Sequence, residues 1–388
     1  MSLRRYLGSV IRSQLDQTNA PELPEGISLE EIVDIAKRNS IEYLLLGGVV
    51  KASNIPEESK EYLRKLVVSS LMRTGVQLEQ VRKIEDCFEA KGIKNQPMKG
   101  AKLKFMYPSP QLREMGDVDI LVDEKEMQKA AELMKELGYT LQVSVKHHDV
   151  YVKPPFMVVE VHRSMYDKTV DSGQYRYFSS FSRAKLVEGK KYSYDFGLED
   201  FYVYLIAHMA KHFYSMGCGI RNLVDVYVYL NRNKEKMDWE YTKEQLEICG
   251  IAKFAEHMEE MADIWMNDKE CSEFYENLFQ YMLDCGIYGK DENGIWNKFA
   301  EERFGKGKVS NSKLKQWYYF PPISYMAEYY PWLESYPFLL PVAWIIRGYR
   351  GIFLKKGVHK REMLQNIGED KIRIYQDLYH NMALKFRK

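Results

Sequence analysis

The stretch Gly116-Asp117-Val118-Asp119-Ile120-Leu121-Val122 constrains this 388-residue chain more than any other. Two acids stand one residue apart inside an apolar run. On a β-strand, residues i and i+2 point to the same face. Asp117 and Asp119 are therefore expected to project together, while Val118, Ile120 and Val122 turn the other way. Neighbouring anions repel, and a hard divalent cation such as Mg²⁺ relieves that cost. The competing reading is a strand that ends in solvated aspartates, and the D-x-D pattern alone does not separate the two. Three neighbours weigh on the choice. Met98-Lys99-Gly100 places a glycine at a strand-to-helix turn. Arg113 lies four residues before Asp117. Val158-Val159-Glu160-Val161-His162 is a second apolar strand with an acid at its centre.

Together these pieces resemble the nucleotidyltransferase superfamily that includes DNA polymerase β and the aminoglycoside nucleotidyltransferases. Its marks are a Gly-Gly/Ser turn, an acid-hydrophobic-acid strand and a third acid on a later strand. More narrowly, the chain is similar to a group of uncharacterised bacterial nucleotidyltransferases. The likeness lies in Met98-Lys99-Gly100-Ala101, Tyr107-Pro108, Arg113, the run 117–122, Leu137-Gly138-Tyr139 and Glu160-Val161-His162. It is close over about 70 residues and looser out to about residue 232.

The resemblance implies an α+β fold: a polymerase β-like core with a mixed sheet and flanking helices, plus helical regions at both ends. It implies transfer of a nucleoside monophosphate from an NTP to an acceptor hydroxyl, with two Mg²⁺ (or Mn²⁺) ions. Asp117, Asp119 and Glu160 would be the metal ligands, and Glu160 would double as general base. Lys99, Gly100, Arg113, Lys211 and Arg221 would face the nucleotide, with a helix N-terminus behind Gly100. For Arg113, a phosphate and a carboxylate are both open as partners. His162 would assist the acceptor or orient Glu160. The chain departs from the superfamily in carrying Lys99-Gly100 where Gly-Ser is usual, so a serine hydroxyl is missing and Lys99 stands to supply charge instead.

Length predicts two or three domains. The divisions expected are a helical region over 1–92, an α/β core over 93–195 and a helical domain over 196–388. A net charge of +1 gives no global steering of polyanions. The five cysteines are widely spaced and form no CxxC, which argues against a disulfide framework or zinc site and for a reducing cytoplasm. No signal peptide or membrane-spanning run is expected. The 29 tyrosines read as amphipathic packing groups.

Ser28 and the acids after it look like a helix start. Residues 41–50 form a second segment, and Pro56-Glu57-Glu58 opens a long helix. That helix is expected to bury Leu63, Val67, Leu71, Val76, Val81 and Ile84, and to bend or divide at Gly75. Residues 139–145 and 148–152 are expected to form a hairpin. Lys146-His147-His148-Asp149 has metal-ligand chemistry, but adjacent residues on a turn rarely converge. His208 and His212 share a helix face, as a packed pair or as metal ligands and acceptor-side groups. Arg221 and Asp225 are spaced for an ion pair. Three packed helices follow to residue 284, then a glycine- and charge-rich loop over 286–315. Residues 342–388 carry 11 Lys/Arg against four Asp/Glu, a solvated end or a contact for nucleic acid or acidic lipid.

Three rival functions stand beside the enzyme: a non-catalytic nucleotide-binding or regulatory protein on the same fold, a tRNA-modifying nucleotidyltransferase, and a metallohydrolase built on His208 and His212. A small molecule, a protein side chain and RNA are all open as acceptor.

Overall fold

The computed structural model describes residues 1–145, 147–168, 172–290, 293, 316–353 and 369–384. Most of the loop 286–315, much of the basic end and Lys146 lie outside the described residues.

The chain opens with two amphipathic helices, α1 (Leu3–Leu15) and α2 (Leu29–Asn39). The Ser28 hydroxyl accepts the Glu31 amide at 3.1 Å, satisfying one of the free donors of the first turn of α2. Ser40, at φ 46°, stops that helix, and a π-helical turn (Glu42–Leu46) leads into the short α3 (Gly47–Val49). Pro56 starts α4 (Glu57–Ala90), 34 residues long.

Two expectations for α4 are corrected. Gly75 does not divide it. Its buried stripe passes through Leu63, Ser70, Thr74, Gln77, Val81, Ile84 and Phe88, while Leu71 is exposed. The stripe advances by threes and fours, so Leu71 lies one residue, about 100°, off the buried line. Of the polar residues at its centre, Gln77 donates Nε2 to the Met115 carbonyl at 3.1 Å, while among the described residues Ser70 Oγ and Gln77 Oε1 are buried without a partner.

A five-stranded mixed sheet follows, built from β1 (Asn95–Pro97), β2 (Val118–Val122), β3 (Thr140–Ser144), β4 (His148–Lys153) and β5 (Met157–His162), in the order β1-β2-β5-β4-β3. β2 pairs antiparallel with β1 and parallel with β5; the other pairs are antiparallel. All five residues of β2 are buried, as expected of a strand covered on both faces. Val118, Ile120 and Val122 join Val159 and Val161 against α4 and α6 (Met127–Glu136) in one core. The opposite face carries Asp119 and Glu160. Between β1 and β2 lies a single helical turn, α5 (Gly100–Leu103).

After β5 come α7 (Ser172–Tyr177) and a small hairpin of β6 (Ala184–Leu186) and β7 (Tyr194–Phe196). Five helices then pack together: α8 (Leu198–Ser215), α9 (Arg221–Asn233), α10 (Trp239–Ile248), α11 (Ala252–Met266) and α12 (Glu273–Cys285). Their core is shared with α1 and α2. The buried Trp265 of α11 donates its indole N–H to the Arg4 carbonyl of α1 at 2.9 Å. Further helices cover Ile323–Tyr329, Leu340–Phe353 and Glu369–Met382. The five cysteines are free thiols. Among the described residues no helix is long and apolar enough to cross a membrane.

The helical half is tied to the sheet by a buried polar junction. Arg113 forks onto Asp225 of α9, with Nε at 3.0 Å from Oδ1 and Nη2 at 2.8 Å from Oδ2. The Tyr107 hydroxyl donates to the same Oδ1 at 2.6 Å. The expected Arg221–Asp225 ion pair is thereby corrected. A one-turn pair contributes a few tenths of a kcal/mol, and a buried bidentate guanidinium outcompetes it. Arg221 instead donates Nη1 to the Glu114 carbonyl at 3.4 Å. Beside this junction Glu114 accepts the Tyr43 amide, and burial together with Glu114 pushes the Glu42 carboxyl up to about 8.

Asp225→Ala leaves Arg113 buried without its counter-ion and is expected to cost about 3–5 kcal/mol in urea unfolding. Glu42 makes a second prediction. Its folded pKa lies above its unfolded value, so the native state holds the extra proton. That contribution is complete below pH 4.5 and is lost as pH rises toward 8. Unfolding free energy measured across that window should fall more steeply in the wild type than in Glu42→Gln.

Candidate active site

The acids reach their places through strand register. Asp119 is the second residue of β2, and the parallel pairing sets it beside Glu160 of β5. Asp117 lies just before β2, on the lip of the same face, electrostatically coupled to Asp119, Glu160 and Lys99. His162, two residues beyond Glu160, approaches both acids, with Nε2 at 2.8 Å from Asp119 Oδ1 and 3.3 Å from Glu160 Oε2. His148 opens β4 directly opposite His162, and its Nε2 stands 3.7 Å from Glu160 Oε1. The two imidazole centres are 4.9 Å apart.

Lys99 is the built-in cation of the cluster. Its Nζ lies 2.5 Å from Asp119 Oδ1. Burial alone would lower the Lys99 pKa, but the charges of Asp119, Tyr204 and Asp117 raise it overall. Burial opposes ionisation of Asp119, yet Lys99 and His162 hold it well below the usual carboxylate range. Burial likewise opposes charge on His162, and its bonds to Asp119 and Glu160 raise its pKa. Asp117 is pushed up by burial and by Asp119, so it is the acid most in need of a cation. Glu160 is held ionised chiefly by its bond to His162.

Lys99 pays for this position in backbone geometry. It sits at φ 48° and ψ −126°, a region that residues with a Cβ rarely adopt. Gly100 answers a packing demand within the chain: a Cβ there would lie 2.8 Å from Arg113 Nη1 and 2.8 Å from Met115 Cγ. The helix behind it is short, one α turn followed by a 3₁₀ turn, Lys104–Met106.

Helix α8 faces this cluster. Tyr204, His208 and His212 repeat at one-turn spacing; Tyr204 stacks on His208, and the two histidines meet edge to face at 4.4 Å. Burial and then Lys99 depress both imidazoles, His212 to about 3, so they are neutral. Lys211 lies over the Tyr166 ring at 5.3 Å. Arg221 is lowered to about 10 by burial and by Arg113, and among the described residues its buried Nε has no hydrogen-bond partner. Arg113, left open between phosphate and carboxylate in the sequence, holds the carboxylate of Asp225.

Among the described residues, one group of His, Cys, Asp or Glu converges closely enough to hold a metal ion: His148, Glu160 and His162, with one atom of each within 4.8 Å of the others. Asp117 and Asp119 are not part of that tight group, and no third ligand joins His208 and His212 there. Of the expected tetrad, Lys146 lies outside the described residues, and His147, His148 and Asp149 do not form a group close enough to hold a metal ion. His148 joins β5 across the sheet, while His147 turns to Asp167 at 3.8 Å. Sequence reasoning named His148 only within the turn tetrad and Asp225 only as a partner of Arg221, and it missed Tyr204, whose visible signal is its place one turn before His208.

Lys99→Gly and Lys99→Ala both remove the ammonium, but only glycine relaxes the backbone. Lys99→Gly is expected to be more stable than Lys99→Ala by about 1–3 kcal/mol in urea unfolding.

A model of a family described as uncharacterised nucleotidyltransferases matches residues 25–267. No curated protein and no solved structure gives a significant match.

Proposed function

Because this chain belongs to the uncharacterised nucleotidyltransferase family, we propose that it moves a nucleoside monophosphate from a nucleoside triphosphate to an acceptor hydroxyl, releasing pyrophosphate. The observation that carries this reading is the pairing of Asp119 with Glu160 in parallel register, with Asp117 beside them and Lys99 and Arg221 at hand. Asp117, Asp119 and Glu160 are the residues that would hold Mg²⁺ or Mn²⁺, and the all-oxygen donor set fits a hard cation. Such an ion supplies charge neutralisation for the triphosphate and acidifies the acceptor hydroxyl.

The chain's own groups have distinct tasks in this reading. Glu160, ionised at neutral pH, accepts the proton of the acceptor hydroxyl. Arg221 offers its unpartnered Nε to a phosphate oxygen, and Lys99 balances negative charge as the triphosphate enters. Arg113 positions Arg221 by clamping α9 through Asp225. The neutral His208 and His212 line the acceptor side. Lys211, on the same helix, adds positive charge near the cleft.

The test is thermal unfolding with each of the four NTPs, with and without Mg²⁺, followed by transfer from α-labelled nucleotide. One NTP at 100 times its Kd should stabilise the wild type by about 2.7 kcal/mol only when Mg²⁺ is present. Asp117→Ala/Asp119→Ala should lose that shift. Glu160→Gln should lose transfer by about 100-fold or more. Absence of any nucleotide-dependent shift would overturn the reading. Binding without turnover would favour the non-catalytic alternative, whose specific support is the lysine already neutralising Asp119.

A further inference from the structure

We propose that His148, Glu160 and His162 form a nitrogen-rich site for a borderline divalent metal such as Zn²⁺ or Co²⁺, distinct in ligand chemistry from an all-carboxylate site for Mg²⁺ or Mn²⁺. The fold builds the site from two neighbouring strands. His148 and His162 are cross-strand partners, and Glu160 lies two residues from His162 on the same face. Register therefore aims all three side chains at one volume.

The distances approach coordination spacing. Two ligands about 2.1 Å from a tetrahedral ion lie roughly 3.4 Å from each other. The carboxylate of Glu160 reaches His162 Nε2 through Oε2 at 3.3 Å and His148 Nε2 through Oε1 at 3.7 Å, and one atom of each residue lies within 4.8 Å of the others, so a small closure of the side chains would complete the site. Two imidazoles and one carboxylate are the donor set of catalytic metal sites that keep a position open for water or substrate. Among the described residues neither ring has a hydrogen bond at its buried Nδ1, so strand register sets the direction of both rings. Lys99 already neutralises Asp119, so His162 can exchange its contact with Asp119 for an ion without stranding that acid. Imidazole is a poor ligand for Mg²⁺ and a good one for later first-row metals, so the donor set selects against the ion expected at the aspartates.

The role of the ion as the one that meets the acceptor hydroxyl rests on the nucleotidyl-transfer reading. Binding itself does not, and it is tested on the full chain without nucleotide, so failure of either idea is distinguishable. The metal-free protein is titrated with Co²⁺ and followed by visible absorption. The expected result is one equivalent of four- or five-coordinate Co²⁺, displaced by stoichiometric Zn²⁺ and not by a large excess of Mg²⁺. His148→Ala should weaken Co²⁺ binding by about tenfold or more, while melting in chelator shows that the variant folds. Electron spin-echo spectroscopy of wild type loaded with one equivalent of Cu²⁺ gives a second readout that needs no variant: modulation from the remote nitrogen of bound imidazole. No Co²⁺ uptake, displacement by Mg²⁺, unchanged affinity in folded His148→Ala, or Cu²⁺ without nitrogen coupling would each overturn the proposal.

Discussion

An ionised aspartate at the centre of a buried strand is the constraint to which the rest of the site answers. Asp119 is only 2% exposed and sits on a strand covered on both faces. A bare carboxylate there would be prohibitively costly. Lys99 and His162 supply the compensation, and each brings a further demand. Lys99 must hold a backbone conformation suited to glycine. His162 must stay in register with β4 and β2 at once. The arrangement couples local strain, sheet topology and charge so that none can change alone.

Much of this was legible in the chain itself. Alternation around Asp119 and Glu160 announces strands with one acidic and one apolar face, and the structure separates those faces into different surroundings. The cap at Ser28 and the helix start at Pro56 are local signals, read within a few residues. Family membership extends beyond the similarity seen by eye, taking in α2, α4 and the helices up to α11.

What was not legible depended on partners distant in sequence. Asp225 looked like the neighbour of Arg221 because only helical spacing was visible. The guanidinium that claims it lies 112 residues away. His148 looked like part of a turn because its ligand geometry is created by strand pairing. Leu71 was misplaced because a 34-residue helix accumulates phase error, and because the buried positions beside it are polar. Gly100 was read only as a turn residue facing the nucleotide, and its crowding by Arg113 and Met115 was not visible. In each case local chemistry was right and the missing information was which surface would arrive opposite.

The docking of α1 on α11 sets an order of events during synthesis. Trp265 and Arg4 are 261 residues apart, yet they share a buried hydrogen bond. Translation at 5–20 residues per second separates their emergence by roughly 13–50 s. Throughout that interval Tyr6, Leu7, Val10 and Ile11, all fully buried in the finished protein, have no native partner on α11. Helix α1 thus waits for one of the later helices. The segment 42–49 covers part of its apolar face early, and the remainder stays open until α11 closes over it.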